Sequence, residues 1–327
     1  MAGRYYICLN ALLLAAMLAQ TPVIIDHDGG ATDDYVSTAL VLTMPNVKVM
    51  GIIVSPGVTF LEPAVSVTRK LLDLMGISSV PVARSDARGV NPFPTAWRRN
   101  IYVADALPIL SQKAAITAPL LSETGADFLI RAVTASAEPV TLLATGPLST
   151  VAQALNRQPE IEKKIARIVW MGGALRVPGN VSKSDEPSHD GSAEWNVYFD
   201  APAAARVWKT KIPVVLCPLD TTNKVPVTKE VLQELARLRS HPLADFAGQV
   251  TALAAGSSEQ IYFWDALAAA WLGRPELFKL TDWEVDIVTS GPGEGRTLAR
   301  AGGRKVQVME LTDVAGFYRY FLKQMER

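Results

Sequence analysis

VIIDHDGGATDDYV, residues 23–36, decides how this chain is read. The apolar run Val23-Ile24-Ile25 leads straight into four aspartates, Asp26, Asp28, Asp33 and Asp34. A short β-branched run bounded by turn residues predicts a strand buried on both faces. Gly29-Gly30 predicts a turn, and a helical pattern follows over 34–44. Carboxylates this close repel one another, so the cluster is costly without a counter-ion.

The same alternation runs outward along the chain. Further β-branched runs lie at 47–54, 140–143, 165–170 and 212–216. Helical patterns at 62–75, 125–135, 149–156, 202–210 and 228–239 separate them. This predicts an α/β fold: one domain over 21–327, with an open, mostly parallel (mixed) central sheet and helices on both faces. No internal repeat or low-complexity linker interrupts it. Open α/β sheets bind ligands beyond the carboxyl ends of their strands. Residues 26–34, Thr145-Gly146-Pro147, Met171-Gly172-Gly173 and Asp220-Thr221-Thr222-Asn223 all fall there, which points to one composite site.

The 327 residues are 49% apolar, enough for a large core. Lys plus Arg (32) equals Asp plus Glu (32), so no broad basic surface for nucleic acid is expected. Of the two cysteines, Cys8 and Cys217, Cys8 lies in the N-terminal apolar stretch, so no structural disulfide between them is expected, and no Cys-x-x-Cys suggests structural zinc. In the N-terminus MAGRYYICLNALLLAAMLAQ, Arg4 precedes an apolar run of about a dozen residues. That length suits a signal peptide over 1–20 and is too short for a stable membrane anchor. Cleavage after Ala19 would place Met17, not a small residue, at the minus-three position. Export to the periplasm or medium follows if the signal is real, and a cytoplasmic location if it is not.

Three explanations compete for the acidic cluster. Helix capping by Asp33 or Asp34 accounts for one or two of the carboxylates, not four. An apolar strand ending in Asp-x-Asp-Gly resembles the nucleophile motif of haloacid-dehalogenase-type phosphatases, but no downstream acidic pair completes it. A hard-cation site uses the set best. Ca2+ prefers many oxygen ligands, and Asp28 and Asp34 can share one ion across the loop.

IIDHDGGATDD, with LLATGPLSTVAQAL, IVWMGGALRVPGNV, DGSAEWNVYFD and YFWDALAAA in the same order, resembles the nucleoside hydrolases. NPFPTAWRR and FWDALAA resemble their purine-preferring, inosine–adenosine–guanosine branch. The resemblance implies Ca2+-dependent hydrolysis of the N-glycosidic bond of purine ribonucleosides, in a homodimer or homotetramer. It implies Ca2+ held by Asp28, Asp34, Asp265 and the Thr145 carbonyl, with Asp28 also the general base. Asp33, Met171, Asn180, Glu194 and Asn196 would bind ribose, Trp97 and Trp264 would sandwich the base, and Asp26 would support the loop. A pyrimidine or broad-specificity hydrolase, or a non-catalytic nucleoside-binding protein, are the alternatives.

Each residue also has a plainer reading. Trp264 suits a helix core, and Glu194-Trp195-Asn196 suits a surface turn with Trp195 packed beneath it. Thr145 and Asn180 suit turns, and His27, His189 and His241 suit hydrogen-bonded or exposed loop positions. Trp97, in a Pro-rich, arginine-flanked segment, suits a lid.

Three departures from the family pattern stand out. Asp28 to Asp33 takes five steps where the family takes four, an extra residue that Gly29-Gly30-Ala31-Thr32 would absorb. Ser55-Pro56-Gly57-Val58 stands where the family places Asn or Asp near the substrate. Residues 256–263 carry no basic side chain to help the leaving group.

Overall fold

The computed structural model describes residues 20–30, 33–256 and 260–327. Strand β1 (Thr21–His27) is an inner strand of a ten-stranded sheet. The others are β2 (Val47–Val54), β3 (Val82–Arg84), β4 (Leu120–Thr124), β5 (Val140–Ala144), β6 (Ile165–Met171) and β7 (Val214–Cys217), then β8 (Phe278–Ile287), β9 (Thr297–Ala299) and β10 (Arg304–Leu311). Their order across the sheet is β4-β3-β2-β1-β5-β6-β7-β10-β8-β9. Every pair from β4 to β10 is parallel, and β8 runs antiparallel to both β10 and β9.

Alternation along the strands builds two cores. Val23 and Ile25 face one layer with Val36, Leu40, Phe246, Leu267 and Phe317. Ile24 faces the other, with Phe128, Leu129, Val151, Leu155 and Val207. Both faces of β1 are therefore apolar, which is why its sequence is continuous rather than alternating. Burying one such side chain stabilises the fold by about 1.5–3 kcal/mol.

The first layer contains α1 (Asp33–Leu42) and α2 (Leu61–Leu74). Two short helices, α3 (Thr95–Arg98) and α4 (Asn100–Asp105), follow β3. The second layer contains α5 (Gly125–Ala135), α6 (Ser149–Arg157) and, after the short α7 (Trp195–Phe199), α8 (Ala201–Trp208). The chain then returns to the first layer through α9 (Leu219–Thr222), α10 (Lys229–Arg237), α11 (Pro242–Ala255), α12 (Trp264–Gly273) and α13 (Val314–Met325). Helices α1 and α12 lie side by side, so their N-termini meet beyond the sheet's carboxyl edge.

The five strands and six helices expected from the sequence are present, with ends shifted by at most two residues. Strands β3, β4, β8, β9 and β10 were not anticipated. β3 and β9 have three residues each, and β8 mixes half-buried polar positions with apolar ones because much of it meets solvent. The expected signal segment lies outside the described residues, except for Gln20. Among the described residues, no helix is long and apolar enough to cross a membrane.

Candidate active site

The carboxyl end of β1 delivers Asp26 and His27 into the protein and Asp28 to its rim. Asp26 is buried and accepts a 2.5 Å bond from Ser55 Oγ at the end of β2. Burial above all pushes its carboxyl up to about 7, against the Ser55 bond and helped by the charge of Asp28. His27 accepts the Gly29 N–H at Nδ1 (3.1 Å), and its Nε2 lies 3.1 Å from Thr68 Oγ1. Burial lowers its ring to about 3, so it is a neutral brace for the turn and not a proton donor.

That turn matters because Gly29 has φ +74°, a conformation an L side chain rarely adopts. Gly30 N then donates to Asp34 Oδ2. Gly29 thus ties the longer loop to His27 and Gly30 ties it to Asp34, while Ala31 and Thr32 lie outside the described residues. Asp28 accepts Val58 N–H at Oδ2 (2.9 Å) and is hydrogen-bonded to Asp34. Gly57 makes this possible: a Cβ there would lie 2.1 Å from Asp28 Oδ2. The loop after β2, which lacks the family's amide or carboxylate, therefore serves Asp28 through its backbone. Ser55 serves Asp26, and neither Ser55 nor Gly57 lines the cavity.

Asp34 accepts Thr145 Oγ1 at Oδ1 (2.5 Å). Asp33 turns the other way: its carboxylate accepts the Asp265 and Ala266 N–H groups and so caps α12. Burial raises all of these carboxyls. Asp33 reaches about 7, and the charges of Asp34, Asp33, Asp28 and Glu194 push Asp265 further up. Glu194 opens α7 and accepts Gly173 N–H (3.0 Å) and Asn196 N–H (2.9 Å); burial lifts it to about 7. Asn196 Nδ2 donates to the carbonyls of Thr145 and Met171, each at 3.1 Å. Asn180 Oδ1 accepts the Trp195 N–H (2.9 Å).

These groups converge on one cavity of about 600 Å³. Asp28, Asp33, Asp34, Thr145, Met171, Asn180, Glu194, Asn196 and Asp265 line its polar part. Trp97, Trp264, Trp195, Phe93, Val58 and Ile261 supply its aromatic and aliphatic wall, with the amides of Asn100 and Gln260. All the expected site residues line it except Asp26, which lies beneath. Phe93, Trp195, Asn100 and Gln260 were not among them. The segment NPFPTAWRR, with its aromatics set among prolines, was the available signal for Phe93. His189 is absent from the lining; it bonds the Glu294 carbonyl and Gly191 N–H and braces a loop.

Among the described residues no Lys, Arg or His side chain lines the cavity, so five buried carboxylates face it without a counter-charge from them. Among the described residues, no three His, Cys, Asp or Glu side chains are spaced to hold a metal ion. The chemistry of the donors still fits a hard divalent cation. They are oxygens only, their charges raise one another's pKa, and the Asp28–Asp34 bond needs a proton where a cation would serve.

Acidic groups at the strand ends of an open parallel sheet, opposite an aromatic wall, define a binding cleft for a small molecule with a polar and a flat part. Comparison with known proteins makes this specific. Residues 23–319 match the model of the inosine-uridine preferring nucleoside hydrolases, and the chain belongs to that family. The inosine-uridine preferring nucleoside hydrolase of Bacillus anthracis is 40% identical. It superposes with a TM-score of 0.88 over 94% of this chain and 99% of that one. The pyrimidine-specific ribonucleoside hydrolase RihA of Citrobacter koseri is 31% identical over 83% of this chain and 85% of its own. The purine-preferring ribonucleoside hydrolase of Gardnerella vaginalis, at 24% identity and TM-score 0.77 over 94% and 98% of the two chains, shares the fold. Family membership sets aside the phosphatase reading of the Asp-x-Asp-Gly motif.

Proposed function

We propose that this protein hydrolyses the N-glycosidic bond of purine ribonucleosides to free base and ribose, with Ca2+ at the carboxylate cluster. The observation that carries the proposal is the division of the cavity: five buried carboxylates on one part and three tryptophans on the other. Ribose suits the first, and a flat heterocycle suits the second.

Hydrolysis proceeds through an oxocarbenium-like state at the ribosyl carbon. Water adds to that carbon, the glycosidic bond breaks, and its electrons leave with the base nitrogen. Asp28 takes the proton of the attacking water, its orientation fixed by Val58 N–H. The carboxylates beneath the ring stabilise the developing positive charge. Asp33, Met171, Asn180, Glu194 and Asn196 orient the sugar. Ca2+, held by Asp28, Asp34, Asp265 and the Thr145 carbonyl, would supply Lewis acidity toward water and a template for the ribose diol. Trp97 and Trp264 stack on the base and favour its protonated form. Among the described residues no Lys, Arg or His side chain lines the cavity, and solvent is the proton source we assign to the departing base.

The test is a reducing-sugar assay over inosine, adenosine, guanosine, uridine and cytidine. Faster ribose release from the purines supports the proposal. Tight nucleoside binding in saturating Ca2+ without ribose release would sink it. A pyrimidine preference is the second reading, favoured by the similarity to RihA, and faster turnover of uridine than inosine would establish it. Export in the service of extracellular nucleoside salvage is proposed with the signal peptide; N-terminal sequencing of the mature protein tests that.

A further inference from the structure

Trp195 touches both halves of the cavity. Its main-chain N–H donates to Asn180 Oδ1 (2.9 Å), and its indole Nε1–H donates to the Asn180 carbonyl (3.1 Å). One residue thus holds Asn180 at both its side-chain amide oxygen and its backbone carbonyl. The Asn180 backbone is fixed as well, through a bond from its N–H to the Ala193 carbonyl. On its other side the same indole stacks on Phe93, with ring centroids 4.8 Å apart and planes 25° apart. It also meets Trp97 edge-on at 5.3 Å. Phe93 and Trp97 are themselves 6.4 Å apart, so the three rings form one cluster. Trp195 is 3% exposed, whereas Trp97 is 38% exposed, the open end of that cluster.

We infer that Trp195 is a positioning residue that makes the base-side wall and the ribose-side amide act as one unit. The inference rests on the reading of Trp97 as a base contact and Asn180 as a ribose contact. When a base presses on Trp97, the load passes through the edge-on contact to Trp195, whose indole N–H and main-chain N–H both hold Asn180. An indole in this position can shift only by disturbing both neighbours, because packed rings and bonded amides have few alternative arrangements. A nucleoside, carrying base and ribose together, engages both ends at once. A free base or free ribose engages one.

A double-mutant cycle tests this, since lying between two sites is not by itself coupling. Trp97→Ala and Asn180→Ala are made singly and together, first with Trp195 present and then with Trp195→Phe, and kcat/KM for inosine is measured. Phe keeps a ring and the main-chain bond but removes Nε1–H. With Trp195 present, the double variant should lose about fivefold less than the product of the single losses. With Trp195→Phe, the losses should multiply to within about twofold. Coupling unchanged by Trp195→Phe overturns the inference, and so do losses that already multiply with Trp195 present. If neither single variant impairs turnover, the reading of Trp97 and Asn180 fails first. Should Trp195→Phe melt too low to assay, Phe93→Leu removes the stacked brace without touching Asn180. The cycle in that background should also become multiplicative, and coupling that persists there overturns the inference.

Discussion

Asp28 has one carboxylate oxygen pinned by Val58 N–H and a bond to Asp34, which aims it without a basic partner. Replacing it with asparagine keeps the shape and removes the base. Asp28→Asn should lower kcat by about 10²- to 10⁴-fold in a ribose-release assay. Turnover within a few-fold of wild type would show that the proton goes elsewhere. Trp97→Ala should cost inosine more than uridine, by about tenfold in kcat/KM, because the larger ring loses more stacking. Equal losses would refute a stacking role. At this scale the sequence picked out residues that line the cavity better than it showed what they touch. Asp33 reads as part of the acidic cluster, yet its partners Asp265 and Ala266 are more than 230 positions away. Ser55 reads as a missing substrate contact, and only the fold reveals its bond to Asp26.

Two helices meet at their N-termini to build the acidic floor, and a side chain from one caps the other. Asp33→Ala leaves the first N–H groups of α12 without that acceptor. Loss of a cap costs about 0.5–2 kcal/mol, and the melting temperature should fall by about 2–4 °C. An unchanged melting temperature would mean that water replaces the cap at no cost. The loop after β2 is equally exacting: Gly57→Ala puts a methyl against Asp28 and should reduce kcat far more than it reduces stability. Among elements, the fully buried parallel strands and amphipathic helices were legible because both faces of the sheet are covered. The three-residue β3 and β9, and the β8–β10 pairing, were not. Short strands carry too few residues for a pattern, and β8 mixes polar and apolar positions along a partly solvated face.

The whole molecule has no net charge, yet it buries its acids together. Asp33 and Glu194 are held near about 7, above ordinary values of 3.8 and 4.5, chiefly by burial. A carboxyl raised in the folded state favours folding fully below its unfolded pKa. That contribution is lost as pH rises from about 4 through about 7. Burial raises Asp28, Asp34 and Asp265 as well, so Ca2+ held there would displace their protons and its stabilising effect should grow as pH rises. Melting curves with Ca2+ and with chelator should therefore diverge as pH is raised from about 5 to about 7. A gap that stays constant or narrows contradicts the placement of the cation. The family was legible from motifs spread over nearly the whole chain. Base preference was not, because the wall proposed to meet the base is assembled from segments far apart in the chain. The most direct measurement is ribose release from inosine by the purified protein, with added Ca2+ and after chelation. Ca2+-dependent hydrolysis predicts steady release that stops on chelation and returns with Ca2+. Release that continues undiminished in chelator, or no release with Ca2+ present, would contradict it.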